Sequence, residues 1–415
     1  MPVRKASIDR ITSSRDLHHE LRTFFAFDQF TLLEERQIET CGRIPVYLNE
    51  FWTAKQRDGH SLHEVSYRAC YKPQLPEFFI SRFCSEGDTV YDPFMGRGTT
   101  LIEAHMHRCR AIGNDINPLG RILAGARLDV PSLAAIQKRL DGITLPPAEI
   151  EDTDLLTFFH PETLRELYGW KAYFAERHQA DALDRIDAWI QMVACNRLTG
   201  HSAGFFSVYT LPPNQATSVV AQRKINKKRN QTPEYRDTKA LILKKTRSLL
   251  RDRVPRHYNR TDALLLCESA DHTPQISDAS VKLVVTSPPF VDTVDYIGDN
   301  WLRMWFCDVG LEPTRLWQLR RIDQWIERMT ATLRELRRVL QPNGLIAFEV
   351  GEVRKGKLLL ENEVAQAAQA AGLVTECVMV NAQAFTKTAN CWGVDNNAKG
   401  TNSNRIVILR KTDEG

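Results

Sequence analysis

The 415-residue chain contains no run of about 18 apolar residues, so no membrane-spanning helix is expected. Its nine cysteines include no C-x-x-C pair. That argues against a zinc ribbon and a disulfide framework, and fits a reducing cytoplasm. The opening MPVRKASIDRITSSRDLHHE lacks an apolar centre, so no secretory signal is expected. There is no G-x-x-x-x-G-K-[ST], which argues against a nucleoside triphosphate site. His60 and His63 have no third ligand nearby in sequence, so no metal is expected. A large excess of one charge is missing too: the formal net charge is +4. The distribution is uneven, however. Fourteen Lys and Arg face three acids between Arg223 and Arg260, a local +11 that leaves −7 elsewhere. Such a segment is either a solvated helical face or a contact for phosphates. At 43% apolar and 26% charged residues, the composition is that of an ordinary globular protein.

No repeat or low-complexity tract interrupts the chain. Residues 1–59 mix short helical patterns with polar stretches and are read as an N-terminal arm or packed extension. From His60 a Pro-bounded loop leads to an amphipathic helix near Pro76–Cys84, a Gly-Asp turn, a short apolar strand ending at Asp92, a Gly-rich turn, a helix and a second strand, RAIGND. This β-turn-α-β unit opens a doubly wound α/β sheet. Residues 131–260 are read as an inserted, mainly helical subdomain that includes the basic run. Strand and helix alternate again from ALLLCES at 263 to RIVILRK near the C-terminus. Residues 60–130 and 261–415 are therefore expected to form one domain around the insert.

Two motifs carry chemistry. Asp92-Pro93-Phe94-Met95-Gly96-Arg97-Gly98-Thr99-Thr100 places two glycines between a strand and a helix N-terminus. Glycines there let backbone approach a ligand, and the helix start favours its anionic part. Asp115 closes the next strand, where an acid can accept hydrogen bonds from ribose hydroxyls. The second motif, Thr286-Ser287-Pro288-Pro289-Phe290, follows the apolar VKLVV strand. Proline has no N–H, so the prolines keep this segment out of regular ladders. The Ser287 hydroxyl and nearby carbonyls can accept protons from an amino group, and Phe290 can stack on a ring. Each motif alone is also consistent with a simple structural turn.

Together, D-P-F-x-G-x-G-T-T and the downstream T-S-P-P-F resemble the amino-methylating DNA methyltransferases, which modify cytosine N4 or adenine N6. Tyr71-Lys72-Pro73-Gln74-Leu75-Pro76 and Asn114-Asp115-Ile116-Asn117-Pro118 resemble further segments of that family. The resemblance covers about 60–130 and 261–412. It implies a Rossmann-like methyltransferase sheet and S-adenosylmethionine as cofactor. It also implies that Lys72, Asp92, Pro93, Phe94, Gly96, Gly98, Thr99, Thr100, Asp115 and Ile116 lie around the cofactor. The family's Asp for the adenine amino group is absent: the aligned step is Glu268-Ser269-Ala270, so Ser269 takes that place. Ser287, Pro288, Pro289 and Phe290 would hold a flipped base. A Ser at the head of the second motif is typical of the cytosine-N4 enzymes, which makes N4 the favoured target.

The partner implied is double-stranded DNA, met in part by Arg223, Lys224, Lys227, Lys228 and Arg229 in the insert; loop residues Gly204–Gln215 are a second candidate. A cognate restriction endonuclease is a partner the resemblance leaves open. The implied setting is the cytoplasm of a bacterium or its phage, at the nucleoid. Carbon-5 methylation needs a thiolate, usually in a Pro-Cys pair, and the sequence has no such pair. Three alternatives stay open: adenine-N6 methylation, tRNA guanine-N2 methylation, and a DNA-binding protein on an inactive methyltransferase fold.

Overall fold

The structure, a computed structural model, describes residues 11–26, 29–38, 41–52, 59–289, 295–310, 317, 319, 321–353, 358–382 and 403–411. Helix α1 (Ser14–Thr23) and a small hairpin, β1 (Phe25–Ala26) and β2 (Gln29–Phe30), precede the pair β3 (Leu32–Ile38) and β4 (Gly42–Asn49). Next come α2 (Gln74–Phe83), β5 (Thr89–Asp92), α3 (Thr99–Met106), β6 (Arg110–Asn114) and α4 (Leu119–Leu128). The insert holds α5 (Leu133–Gly142), α6 (Pro161–Gln179), α7 (Arg185–Cys195), α8 (Val219–Arg229) and α9 (Thr238–Leu249). Then follow β7 (Ala263–Leu266), β8 (Val281–Thr286), α10 (Tyr296–Cys307), α11 (Ile322–Val339), β9 (Leu340–Val350), β10 (Glu352–Val353), β11 (Leu358–Leu359), α12 (Leu360–Ala370), β12 (Val374–Ala382) and β13 (Ser403–Arg410).

Nine strands form one sheet in the order β3-β4-β12-β13-β9-β8-β5-β6-β7. β7, β6, β5, β8 and β9 run parallel, while β13 lies antiparallel between β9 and β12. From β5 the chain builds outward one way through β6 and β7, then returns to the other side with β8. The order therefore reverses between β5 and β8. In open α/β sheets the carboxyl ends of strands at such a reversal frame a ligand crevice. Both sequence motifs begin at this point. The VKLVV strand is apolar on both faces because β8 is central and covered on each side.

Helices α11 and α12 cover one face, with Trp325, Met329, Leu333 and Val364 in its core. On the other face, α2, α3 and α4 share a core with the insert, where Phe79 and Leu123 join Trp170, Trp189 and Ile242 in a single cluster. Residues 131–260 are mainly helical, and their packing is continuous with the sheet. Trp170 and Trp189 each donate an indole N–H to α9, to Thr238 Oγ1 at 2.9 Å and Thr246 Oγ1 at 3.1 Å. These bonds satisfy buried polar groups that would otherwise be costly.

The N-terminal segment packs as well. β4 runs parallel to β12, and β3 forms the sheet's edge. Among the described residues, no helix is long and apolar enough to cross a membrane.

Candidate active site

The glycine loop is held by its own side chains. Asp115, at the end of β6, accepts the Gly96 N–H through Oδ2 at 2.8 Å and the Asn117 N–H through Oδ1 at 2.9 Å. The Gly98 N–H donates to the Met95 carbonyl at 2.6 Å. The backbone donors of both glycines are thus already engaged; α3 itself starts without a side-chain cap. Gly98 adopts φ +80°, and a Cβ there would sit 2.6 Å from the Ala124 Cβ. Only glycine fits this conformation and this approach of α3 to α4. Burial pushes the Asp115 carboxyl up to about 6, against the N–H donors of Asn117 and Gly96, which favour its charged form. Each of its oxygens keeps a further lone pair for a ligand hydroxyl. The negative charge of Asp115 helps to raise the phenols of Tyr67 and Tyr296, whose main perturbation is burial. An acid flanked by aromatic rings suits the ribose and base of an adenosine, so these residues fit S-adenosylmethionine.

Asp92, fully buried at the end of β5, joins this loop to the second motif. Its Oδ2 accepts from the Tyr71 hydroxyl at 2.6 Å, and its Oδ1 from the Thr286 hydroxyl at 2.7 Å and the Phe94 N–H at 3.1 Å. Tyr71 and Thr100 hydroxyls lie 2.5 Å apart, and Thr100 donates to the Val285 carbonyl at 3.1 Å. One network thus ties the upstream segment, β5, the start of α3 and the end of β8. Burial raises the Asp92 carboxyl to about 6, opposed by its hydrogen bonds from Tyr71, Thr286 and Phe94. Both Asp92 oxygens thus accept hydrogen bonds from the chain itself.

Pro93 is buried and Phe94 half-buried, its ring edge-on to Trp317 with centroids 6.1 Å apart. Thr99 accepts from Arg97 Nε at 3.2 Å. Lys72 is half-buried; burial, then the charge of Arg97, lowers its ammonium below the usual value. Ile116 follows Asp115, and its carbonyl receives the Cys267 thiol at 3.5 Å. The Ser269 hydroxyl donates to Asp271 Oδ1. That bond orients it while leaving its lone pairs as acceptors.

At the end of β8, Ser287 is half-buried, and the end of β9 runs beside it, with Phe348 in register with Thr286. The Pro289 carbonyl accepts from Trp325 Nε1 at 2.8 Å, which fixes the turn. Phe290 lies outside the described residues.

Several supports have partners that the sequence motifs do not show. Buried Arg97 donates to the carbonyls of Val65 at 2.7 Å, His63 at 3.2 Å and Tyr71 at 3.4 Å. It clamps the 60–71 segment onto the glycine loop. Asn114 exchanges hydrogen bonds with the backbone of Glu268, at 2.8 and 3.0 Å, and so aligns the ends of β6 and β7. His63 pairs with Glu103 at 2.6 Å, and His60 Nδ1 caps the Leu62 N–H. Both histidines thus hold the fold locally.

The five basic residues named in the insert all lie on α8 and are exposed. Arg223 pairs with Asp154, and the Arg229 guanidinium lies 3.7 Å from the Tyr209 ring centroid. Lys224, Lys227 and Lys228 have no acidic partner among the described residues. Other members of the basic run are used internally: Lys245 and Arg251 meet Glu64, and Lys239 caps the Ile143 carbonyl. Phe205 and Phe206 belong to the core, at 5% and 0% exposure, rather than to a groove-reading loop. Ahead of α8, the loop docks on α10: the Ala216 N–H meets the Asp299 carbonyl at 2.8 Å, and Trp301 Nε1 the Thr217 carbonyl at 3.2 Å. α8 is therefore anchored to the helix that follows the Ser-Pro-Pro motif.

Residues 31–119 match the DNA methylase family of N6 and N4 modification. That segment is about a fifth of the chain, and over it the chain is similar to the amino-methylating DNA methyltransferases. It is 36% identical over 81 residues to the type II methyltransferase M.MjaII of Methanocaldococcus jannaschii, a match covering 20% of this chain and 15% of that one. It is 41% identical over 64 residues to the type II methyltransferase M.MvaI of Kocuria varians, 15% of this chain and 14% of the relative. The orphan methyltransferase M.BamHII of Bacillus amyloliquefaciens matches at 32% over 90 residues, 20% and 33% of the two chains. The chain thus aligns with a third or less of each relative's length. Among solved structures, TrmN from Thermus thermophilus aligns over 85% of this chain and 51% of its own, at 12% identity and TM-score 0.34.

Proposed function

We propose that this methyltransferase transfers a methyl group from S-adenosylmethionine to the exocyclic N4 amino group of cytosine in duplex DNA. The observation that carries this reading is the Asp92 network. The 2.7 Å bond from Thr286 joins the glycine loop directly to the residue preceding Ser287. Donor and acceptor loops therefore belong to one rigid unit at the β5–β8 reversal. The Ser at position 287 supports cytosine over adenine.

The bound cofactor supplies an electrophilic methyl on a sulfonium. Asp115 would hold its ribose, Ser269 its adenine amino group, and Lys72 would close over its methionine end. A base within a duplex hides its amino group, so it must be flipped out. Phe290 would stack on the extruded ring. The amino nitrogen is a poor nucleophile because its lone pair is delocalised into the ring. The Ser287 hydroxyl and Pro288 carbonyl accept its two protons, favour a tetrahedral nitrogen and free the lone pair. Positioning and electrostatics do this without a covalent enzyme intermediate. Lys224, Lys227 and Lys228 would meet backbone phosphates, which give affinity and salt dependence but no sequence reading.

The test is labelled S-adenosylmethionine incubated with the protein and either unmethylated genomic DNA or total RNA. Label in DNA cytosine is expected. Label in DNA adenine would change the target base, and label in RNA alone would overturn the DNA reading.

A further inference from the structure

The N-terminal segment carries a surface that the proposed reaction does not use. Asn49, buried at the carboxyl end of β4, donates through Nδ2 to the Phe24 carbonyl at 3.3 Å and to the Thr31 hydroxyl at 3.0 Å. β4 is parallel to β12 and, across β13, to β9, β8 and β5. The β1–β2 hairpin is therefore tied to the edge of the sheet that carries the Ser-Pro-Pro turn and the glycine loop. Its rings face water: Phe25 and Phe30 are 54% and 78% exposed, with centroids 4.6 Å apart. Leu32 and Leu33 extend the apolar strip, so four of the eight large apolar side chains exposed among the described residues fall between Phe25 and Leu33. Clustered exposure of this kind marks an interaction site.

Leu33 also lines a groove of about 410 Å³ between α1 and the β3–β4 pair. Arg15, His18, His19 and Arg22, spaced to share one face of α1, line it together with Arg43 of β4. Glu35 is the one acid on its lining, and it pairs with Arg43 at 3.5 Å. The acids of α1 are engaged elsewhere: Asp16 closes the capping box with Ser13, and Glu20 meets Arg82 at 3.0 Å. His18 is held by Tyr47 at 2.8 Å and Glu376 at 3.5 Å, and Glu376 in turn by Arg410 at 2.7 Å. Arg15 and Arg22 are exposed and have no acidic partner among the described residues. Like charges gathered in a groove repel one another, which costs stability unless an anion lies among them.

We propose that this groove and the aromatic hairpin hold the duplex flank of the DNA substrate, with Arg15, Arg22 and Arg43 on backbone phosphates and Phe25 and Phe30 against the sugars and a base step. This rests on the proposed DNA methylation. Cations beside exposed rings fit a nucleic acid, which offers phosphates next to flat apolar bases. Five strand spacings separate β3 from β8, about 24 Å. At about 3.4 Å per base pair, the contact falls roughly seven base pairs from the flipped base.

The experiment measures binding of the full chain to a fluorescein-labelled duplex of about 40 base pairs by anisotropy, over a range of salt. Wild type is compared with Arg15→Ala/Arg22→Ala/Arg43→Ala and with Phe25→Ser/Phe30→Ser. All five side chains are exposed, so both variants should melt as wild type does. The arginine variant should bind about 10- to 100-fold more weakly at about 0.1 M salt, and its slope of log affinity against log salt should fall by about 2 to 3. The ring variant should bind about 10-fold more weakly with its salt slope unchanged. In both, KM for genomic DNA should rise while kcat at saturating DNA stays at the wild-type level, because the surface is remote from the reacting atoms. Unchanged affinity and slope in the arginine variant would overturn the proposal and turn the surface towards a protein partner. A ring variant that binds like wild type would overturn the part given to the hairpin. Wild-type protein that binds the duplex yet methylates no DNA would instead overturn the reading of the active site and leave this surface standing.

Discussion

Thr286→Val tests the coupling of the two loops at one atom. Valine keeps the shape and β preference of threonine but removes the hydroxyl that donates to Asp92 at 2.7 Å. Asp92 would keep two donors, Tyr71 and the Phe94 N–H. A hydrogen bond to a charged group contributes about 1.5–3 kcal/mol, and the new buried methyl returns part of that, so a loss of about 2 kcal/mol is expected. The loss should depend on pH. Asp92 already binds its proton more tightly folded than unfolded, up to about 6 against the usual 3.8. Removing a donor to the charged form raises it further. The full loss is therefore felt above about pH 7, where the folded carboxyl must ionise, and shrinks towards about pH 5, where it is protonated in both proteins. Urea denaturation at the two pH values measures this, and single-turnover methyl transfer should slow in parallel. Equal stability at both, or a loss that grows as pH falls, would refute the role given to Asp92.

Other outcomes follow from the same geometry. Asp115→Ala removes the acceptor of the Gly96 N–H and the proposed ribose contact, so S-adenosylmethionine affinity should drop about 10- to 100-fold in calorimetry. Unchanged affinity would place the ribose elsewhere. Replacing Lys224, Lys227 and Lys228 together by Ala should weaken DNA binding uniformly across sequences. It should also reduce the slope of log affinity against log salt by about 0.9 for each phosphate no longer neutralised. Thermal stability should hardly change, because these side chains are exposed; an unaltered salt slope would move the DNA surface off α8.

The parallel core of the sheet was legible because its strands are apolar and end in punctuated turns. VKLVV before Ser-Pro-Pro, and the strand before Asp92-Pro93, could be placed on sequence alone. The edge was not. β3 is largely exposed, so LLEERQI shows no core-facing alternation, and its partner β4 carries Pro45 opposite Glu35. β12, the partner of β13, was likewise not legible. Within the site, motif residues stand out because short patterns mark them. Arg97 and Asn114 lie within those patterns and Glu349 outside them, but the importance of all three comes from partners far away in sequence: Val65, Glu268 and Asn404. A buried arginine or glutamate looks like any surface charge until the chain has folded around it. The basic run shows the converse. Its charge was evident, but Arg251, Lys245 and Lys239 are taken up by Glu64 and by a helix-end carbonyl, while the lysines of α8 stay exposed.

The most direct test of the account is nucleoside mass spectrometry on unmethylated DNA treated with S-adenosylmethionine and either wild-type protein or Ser287→Ala. The account predicts N4-methylcytosine from the wild type and its near-absence from the variant, with S-adenosylmethionine binding retained. An undiminished N4-methylcytosine yield from Ser287→Ala, or N6-methyladenine as the wild-type product, would contradict it.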